Sequence, residues 1–453
     1  MTIPLRFLPL LWQADVIRRR EVWELLQIYR QEWRDLLLDR MREIFSPEVF
    51  QILHPKTDIS LNLLRWAVDE LAGIYAEPVS RTLEGDDDAP AIYTKNLDVA
   101  LDAASRMAFL CRTVFVRPLW FDGEMFLDVV TPDRVSVLPS RNKPGAIDCL
   151  MLHIPFDAMD VYLPPSTPSV RLRRYAVWTK DSHFVLDESF APLPLKDNPE
   201  NKNFYGRIPY LAIHLGYPTT SFWTHQEMRG LRDATYRAAI HMTDHNHLRQ
   251  MQSFKQLVLT GTPESKDWAK LILDPGKAIH LKGQGTADVL DLQADLGQHL
   301  DTLLTGAAAV LNLYGIRPDA VKGTLDASSG YALSLKMQGQ QKVWSSLRRI
   351  WEAAERDLYS LARVTASVDS GLSLPCGPLK VEFGEMGAPA DPQAQASTLS
   401  ALVTSGIYSK AEARRVLGKT EEESAQIEEE TLAERVASPS ILPSVPPIFG
   451  EEA

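Results

Sequence analysis

The sequence predicts an α+β protein, and three features carry that prediction. A proline-free stretch from Ser329 to Val364 reads as one long helix. At ~1.5 Å per residue it would span roughly 54 Å, more than a compact domain needs. Between about residues 113 and 215, β-branched and aromatic runs alternate with Pro, Asn, Asp and Gly, the composition of a β-rich layer. A small β-α-β-β pattern then sits between two helical stretches of similar length.

In chain order, Val22, Leu26, Tyr29, Trp33, Leu37, Met41 and Ile44 recur at helical spacing, predicting one helix from Asp15 to Ile44 with charged residues on its other face. A second helix is expected from Ser60 to Glu77, ending before Pro78 because the residue before proline is pushed out of the α region. A third is expected from Asn96 to Leu110. Strands follow in TVFVRPLWF and LDVV, joined at Asp122 and Gly123 as a hairpin, and then in RVSVLP, DCLMLHI, RRYAVWT, HFVLD and PYLAIHL. A helix from Thr224 to Gln252 leads into the insert KQLVLTG, PESKDWAKLIL, KAIHLKG and DVLDLQ, and helix resumes from Ala294 to Tyr314.

The loop Gly315 to Ser328 precedes the long helix, and a short strand, Leu379 to Phe383, turns the chain back toward its first part. Near the end, Ser409 with Glu412 and Thr420 with Glu423 have capping-box spacing, and Gly406 and Gly418 suit helix ends. The tail from Ser438 is proline-rich and reads as disordered or ordered on a partner.

The long helix carries two stripes. Trp344, Leu347, Trp351, Ala354, Leu358 and Leu361 form an apolar seam, while Lys342, Arg349, Arg356 and Arg363 recur every seven residues. Such a helix fits a core with a solvated face, or a ring of identical helices packed side by side.

Composition narrows the function. With 453 residues the chain has material for two or three domains, and a net charge of −11 gives no broad attraction to nucleic acid or anionic lipid, so any DNA contact is local. Cys111, Cys149 and Cys376 are far apart and include no CxxC pair, which excludes a disulfide scaffold or a cysteine-rich zinc module and points to a reducing cytoplasm. Pro4 and Pro9 interrupt the short N-terminal apolar run, so a signal peptide is not expected, and no run is long enough to span a membrane.

One constellation invites metal chemistry. His241 and His245 lie one helical turn apart, with Asp244 and His247 beside them. However, Met242 stands where a zinc protease of the HExxH type has Glu, so the pair is a weak metal candidate and a polar helix face is the plainer reading. No phosphate loop, GxSxG motif or dinucleotide fingerprint is present; GQGTADV at 283–289 reads as a turn.

Several phrases, in this order along the chain, resemble the portal proteins of tailed bacteriophages: NLLRWAVDELAGIYAEPV, TPDRVSVLP, YAVWT with HFVLDE, NFYGRIPYLAIH, ASSGYALSLK and SGIYSKAEARRVLG. The resemblance implies a portal-type fold that assembles as a ring of twelve subunits, or thirteen in isolation, at one capsid vertex. Double-stranded DNA passes through its centre. It implies a wing over 1–223 with a return segment at 367–392, stem helices at 224–252 and 294–314, a clip at 253–293, a tunnel loop at 315–328, a tunnel helix at 329–366 and a crown at 393–437, followed by the tail at 438–453.

The partners implied are the terminase large subunit, a head-to-tail connector, and the major capsid and scaffolding proteins, with no membrane, no enzymatic activity and no cofactor. Candidate residues are Arg317 and Lys322 for transient phosphate contact. Lys342, Trp344, Arg349, Trp351 and Arg356 are candidates for contact between neighbouring subunits, and Lys266, Trp268 and Lys270 for motor or connector docking. The alternatives are a metal-dependent hydrolase acting on nucleic acid and a non-portal capsid or scaffolding component.

Overall fold

The computed structural model describes residues 5–83, 90–154, 174–195, 198–219, 221–253, 256–260, 286–290, 296–316, 338–384, 399–406, 409 and 412–413. The chain divides into one unit of residues 1–327 with 336–386 and a second of residues 328–335 with 387–453.

The first unit begins with α1 (Leu8–Ala14), α2 (Val16–Tyr29) and α3 (Arg34–Ile44). The single helix expected over Asp15–Ile44 is therefore two. The break lies at Gln31, whose φ of 66° no α-helix accommodates, and the Asn62 side chain donates to the Ile28 carbonyl at 2.7 Å, beside the Gln31 amide at 3.1 Å. Trp33, fully buried, fixes the new direction.

After α4 (Pro47–Leu53), α5 (Leu63–Leu71) starts at an Asn62 cap whose side chain accepts from the Arg65 amide at 2.9 Å. It ends six residues before the Glu77 boundary expected from Pro78. The Ser105 hydroxyl donates to the Ala72 carbonyl at 2.8 Å, and beyond it Tyr75 leaves the helix to pack against another element. β1 (Ser80–Leu83), α6 (Ala91–Thr94) and α7 (Leu97–Cys111) follow.

Two sheets organise the next stretch. β2 (Thr113–Phe121) pairs antiparallel with β3 (Glu124–Val130) through Asp122 and Gly123, whose φ values of 49° and 80° are those of a tight hairpin turn. On its other edge β2 pairs with β9 (Leu211–His214). β4 (Val135–Pro139), β5 (Ile147–Ile154), β6 (Arg174–Thr179), β7 (His183–Leu186) and β8 (Pro192–Leu193) form an antiparallel five-stranded meander.

Both faces of that meander are covered. Leu150, Leu152, Ala176 and Trp178 face one apolar cluster, while Cys149, Met151, Tyr175 and Val177 face another that Leu8 and Trp12 of α1 complete. Covering both faces is why every residue of β6 is buried although its side chains alternate. Buried Arg18 and Arg19 stitch the N-terminal helices to the sheet. Arg18 donates to the Pro132 carbonyl at 2.8 Å and lies 3.7 Å over the Trp223 ring, and Arg19 donates to Ser136 Oγ at 2.8 Å.

A short 3-10 turn leads into α8 (Arg229–Ser253). Two buried threonines bind α8 to the N-terminal helices. Thr235 Oγ1 accepts from the free Leu64 amide at the start of α5 at 3.0 Å, and Thr243 Oγ1 accepts from the Asp58 amide at 3.0 Å. Beyond α8, β10 (Gln256–Thr260) and β11 (Thr286–Leu290) pair antiparallel, and α9 (Leu296–Leu313) returns against α8. The helix and strand expected at 263–273 and 277–283 lie outside the described residues.

The long helix, α10 (Gln338–Asp369), has 32 residues. Its expected start at Ser329 lies outside the described residues, and its C-terminal end runs five residues past Val364. β12 (Leu379–Glu382) then pairs with β1, Leu83 opposite Leu379. In the second unit, residues 399–404 are helical. Ser409 and Glu412 form the expected capping box: the Glu412 amide donates to Ser409 Oγ at 3.1 Å and the Ser409 amide to the Glu412 carboxylate at 2.9 Å. Thr420, Glu423, Gly418 and the proline-rich tail lie outside the described residues.

Burial in the sheet region lowers the pKa of His183 to about 3 and that of His214 to about 4. Both therefore stay neutral in the fold while the unfolded chain takes up protons below pH ~6.5. Their contribution is complete above that pH and falls as the solution is acidified. From pH 6.5 to 4.5 each should cost on the order of 2–3 kcal/mol of folding stability. A series of urea midpoints should show this decline, and His183→Phe, which keeps a ring against Trp178, should make it shallower.

Candidate functional site

α10 organises the functional surfaces of the first unit. Its seam is buried within its own chain: Trp351 is 0% and Trp344 8% exposed, and Leu347, Ala354, Leu358 and Leu361 share that core. Trp351 meets Tyr75 edge to face at 5.5 Å and 87°. Trp344 and Trp351, expected at a contact between subunits, therefore belong to intrachain packing. The 3-4 spacing that suggested helix against helix is satisfied by α5, β2, β9 and β12.

The basic stripe lies on the opposite face. Lys342, Arg349 and Arg356 are exposed. Arg349 Nε donates to the Ser345 carbonyl at 3.3 Å, and Arg356 lies 3.7 Å from the Glu352 carboxylate one turn away. Arg363, half-buried, departs from the stripe and reaches Cys376 Sγ at 2.6 Å. Lys342, Arg349 and Arg356 thus remain accessible, spaced about two helical turns apart.

Glu355 holds this helix to the rest of the first unit. Its carboxylate is fully buried in the middle of α10 and takes Arg81 Nε at 2.5 Å, Arg81 Nη2 at 3.2 Å and the Tyr75 hydroxyl at 2.9 Å. Arg81 also reaches Asp98 at 2.6 Å. Burial raises the Glu355 carboxyl above its ordinary range, opposed by Arg81 and Tyr75. On Arg81 burial acts downward, and the bonds and charges of Glu355 and Asp98 outweigh it, so the guanidinium is held charged. A network built this way leaves no room for removing one member. Glu355→Ala leaves the buried Arg81 with Asp98 as its remaining carboxylate partner and should cost about 2–4 kcal/mol, whereas Tyr75→Phe should cost about 1 kcal/mol, both read from chemical denaturation.

The ends of segment 317–337 are fixed by a pair of glycines. Gly315 has φ +90°, and a Cβ placed on Gly339 would lie 3.1 Å from the Gly315 carbonyl oxygen. A side chain at Gly339 would press on the Gly315 backbone, which would have to shift by a few tenths of an ångström. Gly339→Val should therefore lower stability by about 1–3 kcal/mol in a thermal or urea melt, while Gly306→Ala, which meets open space, should not. Arg317 and Lys322 lie outside the described residues, as do Lys266, Trp268 and Lys270.

His241 is exposed and His245 buried on α8. His299 of α9, which the sequence reading passed over, lies against both, 6.4 Å and 5.6 Å between ring centroids. His247 points elsewhere and pairs with Lys56 at 2.8 Å. Among the described residues no group of three or more His, Cys, Asp and Glu is placed to hold a metal ion. Also among them, no helix is long and apolar enough to cross a membrane.

The missed residues share one property. Glu355, Arg81, Gly339 and His299 act through partners far away in sequence, and only the polar interruption of an apolar seam at Glu355 was there to be noticed.

No protein-family model matches the chain, and no curated protein matches it. Among solved structures, it is similar to a chain in the neck of an empty gene transfer agent particle computed with C6 symmetry. The identity is 12% over 81% of this chain and 93% of that one, with a TM-score of 0.48. It is also similar to a chain in the neck of the native particle computed with C12 symmetry, at 13% identity over 79% and 90% of the two chains with a TM-score of 0.45. A chain of the native gene transfer agent virion is similar at 12% identity over 79% and 90%, with a TM-score of 0.43.

Proposed function

We propose that this chain is a portal subunit, a structural and not an enzymatic protein. Twelve copies close a ring at one capsid vertex, through which double-stranded DNA enters during packaging and leaves during ejection. The observation that carries the proposal is the arrangement of α8, β10, β11 and α9: two packed helices bracketing an antiparallel strand pair, placed between an α/β body and a long helix. That is the order the portal resemblance implies for wing, stem, clip, stem and tunnel helix.

On this reading residues 253–293 dock the terminase large subunit and later the head-to-tail connector, through Lys266, Trp268 and Lys270. The loop after Gly315 faces DNA with Arg317 and Lys322, and residues 393–437 face the capsid interior, where major capsid and scaffolding proteins assemble. The protein resides in the virion and assembles in the host cytoplasm. A chain of net charge −11 supports sliding over adhesion, because an acidic channel repels phosphate.

A head-to-tail ring requires two different surfaces on each subunit. The exposed row Lys342, Arg349 and Arg356 supplies one of them, with Trp344 and Trp351 holding it in place from within.

Light scattering with electron-microscopic class averages tests the proposal. Twelve chains of 50.8 kDa give a particle of roughly 610 kDa, or a little more with thirteen, and a central hole. A chain that stays monomeric at every concentration and beside its capsid partners would refute it. The double variant Arg349→Glu/Arg356→Glu should leave the melting transition of the subunit within about 0.5 kcal/mol of the parent and reduce the ring fraction.

A further inference from the structure

α8 and α9 leave an apolar cleft of about 490 Å³ between them, floored by Leu63 of α5 and walled by Ala234, Ala238, Gly306 and Ala307. Small side chains keep it open, and a Cβ added to Gly306 would meet no atom within 4 Å. Arg237 lines the same cleft, is exposed, and forms no ion pair among the described residues. An apolar recess of this size facing water is a place where a seated hydrophobic side chain gains free energy.

A matching projection stands on the β2–β3 hairpin. Phe121 is 56% and Phe126 49% exposed, their rings 6.1 Å apart and tilted by 58°. They lie diagonally across the strand pair, Phe121 opposite Glu124 and Phe126 opposite Leu119, so both rings belong to one end of the hairpin. The tight turn at Asp122 and Gly123 and the bond from Lys95 to the Glu124 carboxylate brace that end. Asp122 is exposed at the turn and forms no ion pair among the described residues. One exposed phenylalanine is ordinary; two in contact on a braced turn, with a free carboxylate beside them, make a compact knob.

We infer that the β2–β3 hairpin of one copy seats Phe121 and Phe126 in the α8–α9 cleft of a second copy. The sizes agree: a cavity of roughly 150 Å³ takes one benzene ring, so a cleft of about 490 Å³ takes both phenyl rings with the groups that carry them. The charges agree as well, because seating the rings brings the Asp122 carboxylate to the mouth where Arg237 stands. Both surfaces are open in the single chain, so the hairpin does not fill the cleft of its own copy. The contact is head-to-tail. Each copy that seats its hairpin still offers an empty cleft, and the assembly either closes into a ring or runs on. The contact does not rest on the portal reading; in a portal ring it would join neighbouring subunits.

Sedimentation velocity on the full chain and two variants tests it. Phe121→Ser/Phe126→Ser removes the knob and Gly306→Leu fills the cleft, all at exposed positions, so both variants should keep the parent melting temperature. Each alone should weaken self-association about a hundredfold. Mixed in equal amounts, the two variants hold one intact hairpin and one intact cleft between them, and the mixture should stop at a 1:1 dimer. Should either variant not fold, Arg237→Glu, also at an exposed position, should weaken self-association about tenfold. A parent chain that stays monomeric, a mixture without dimers, or undiminished assembly of the hairpin variant or of Arg237→Glu would each overturn the contact. Full assembly of Gly306→Leu would leave the cleft to another occupant and overturn it too. Parent particles that lack a central hole yet are lost in both variants would support the contact and refute the ring.

Discussion

A buried ion pair in the middle of the long helix is the constraint on which the first unit depends. An α-helix with a charged carboxylate at its most buried point is unstable on its own account, because desolvating that charge costs several kcal/mol. Glu355 is tolerated because Arg81 and Tyr75 meet it from β1 and the segment before it, and Asp98 meets Arg81 from α7. The helix can therefore dock in one register only. Sliding it by a turn would bury the carboxylate against apolar neighbours and leave Arg81 with Asp98 alone. The same register places Trp351 on Tyr75, Thr365 within 3.0 Å of Trp120 Nε1, and the cationic row on the outside.

α8 is held in a comparable way, by polar atoms acting across an apolar contact. Its threonines satisfy backbone amides of the N-terminal segment, and Glu21 and Glu24 hold its first turns through Arg229, Arg232 and Tyr236. These bonds concentrate in the part of α8 before residue 247. Beyond it the chain leads into the strand pair β10 and β11 and comes back along α9. The base of α8 is thus firmly bonded, while its contact with α9 includes small apolar residues such as Ala234, Ala238 and Ala307.

The chain carries a net charge of −11; its exposed cations include Arg40, Arg42, Lys95 and Lys380 as well as the row on α10, and α9 meets α10 where Gly315 and Gly339 approach.

The sequence by itself determined the elements whose cause is local. The Asp122–Gly123 hairpin, the Ser409–Glu412 capping box, α7, the long helix and its two stripes all follow from turn chemistry, capping or periodicity, which act over a few residues. It also carried the order of elements on which the portal reading stands. Tertiary structure decided what depends on distant partners. Gln31 takes positive φ because Asn62 and Trp33 make the break favourable, α5 stops short because Ser105 takes its last carbonyl, and the tryptophan seam faces its own chain because β2, β9 and β12 are there to receive it. An apolar stripe states that a face is buried and not what buries it, since the hydrophobic effect carries no direction and no address.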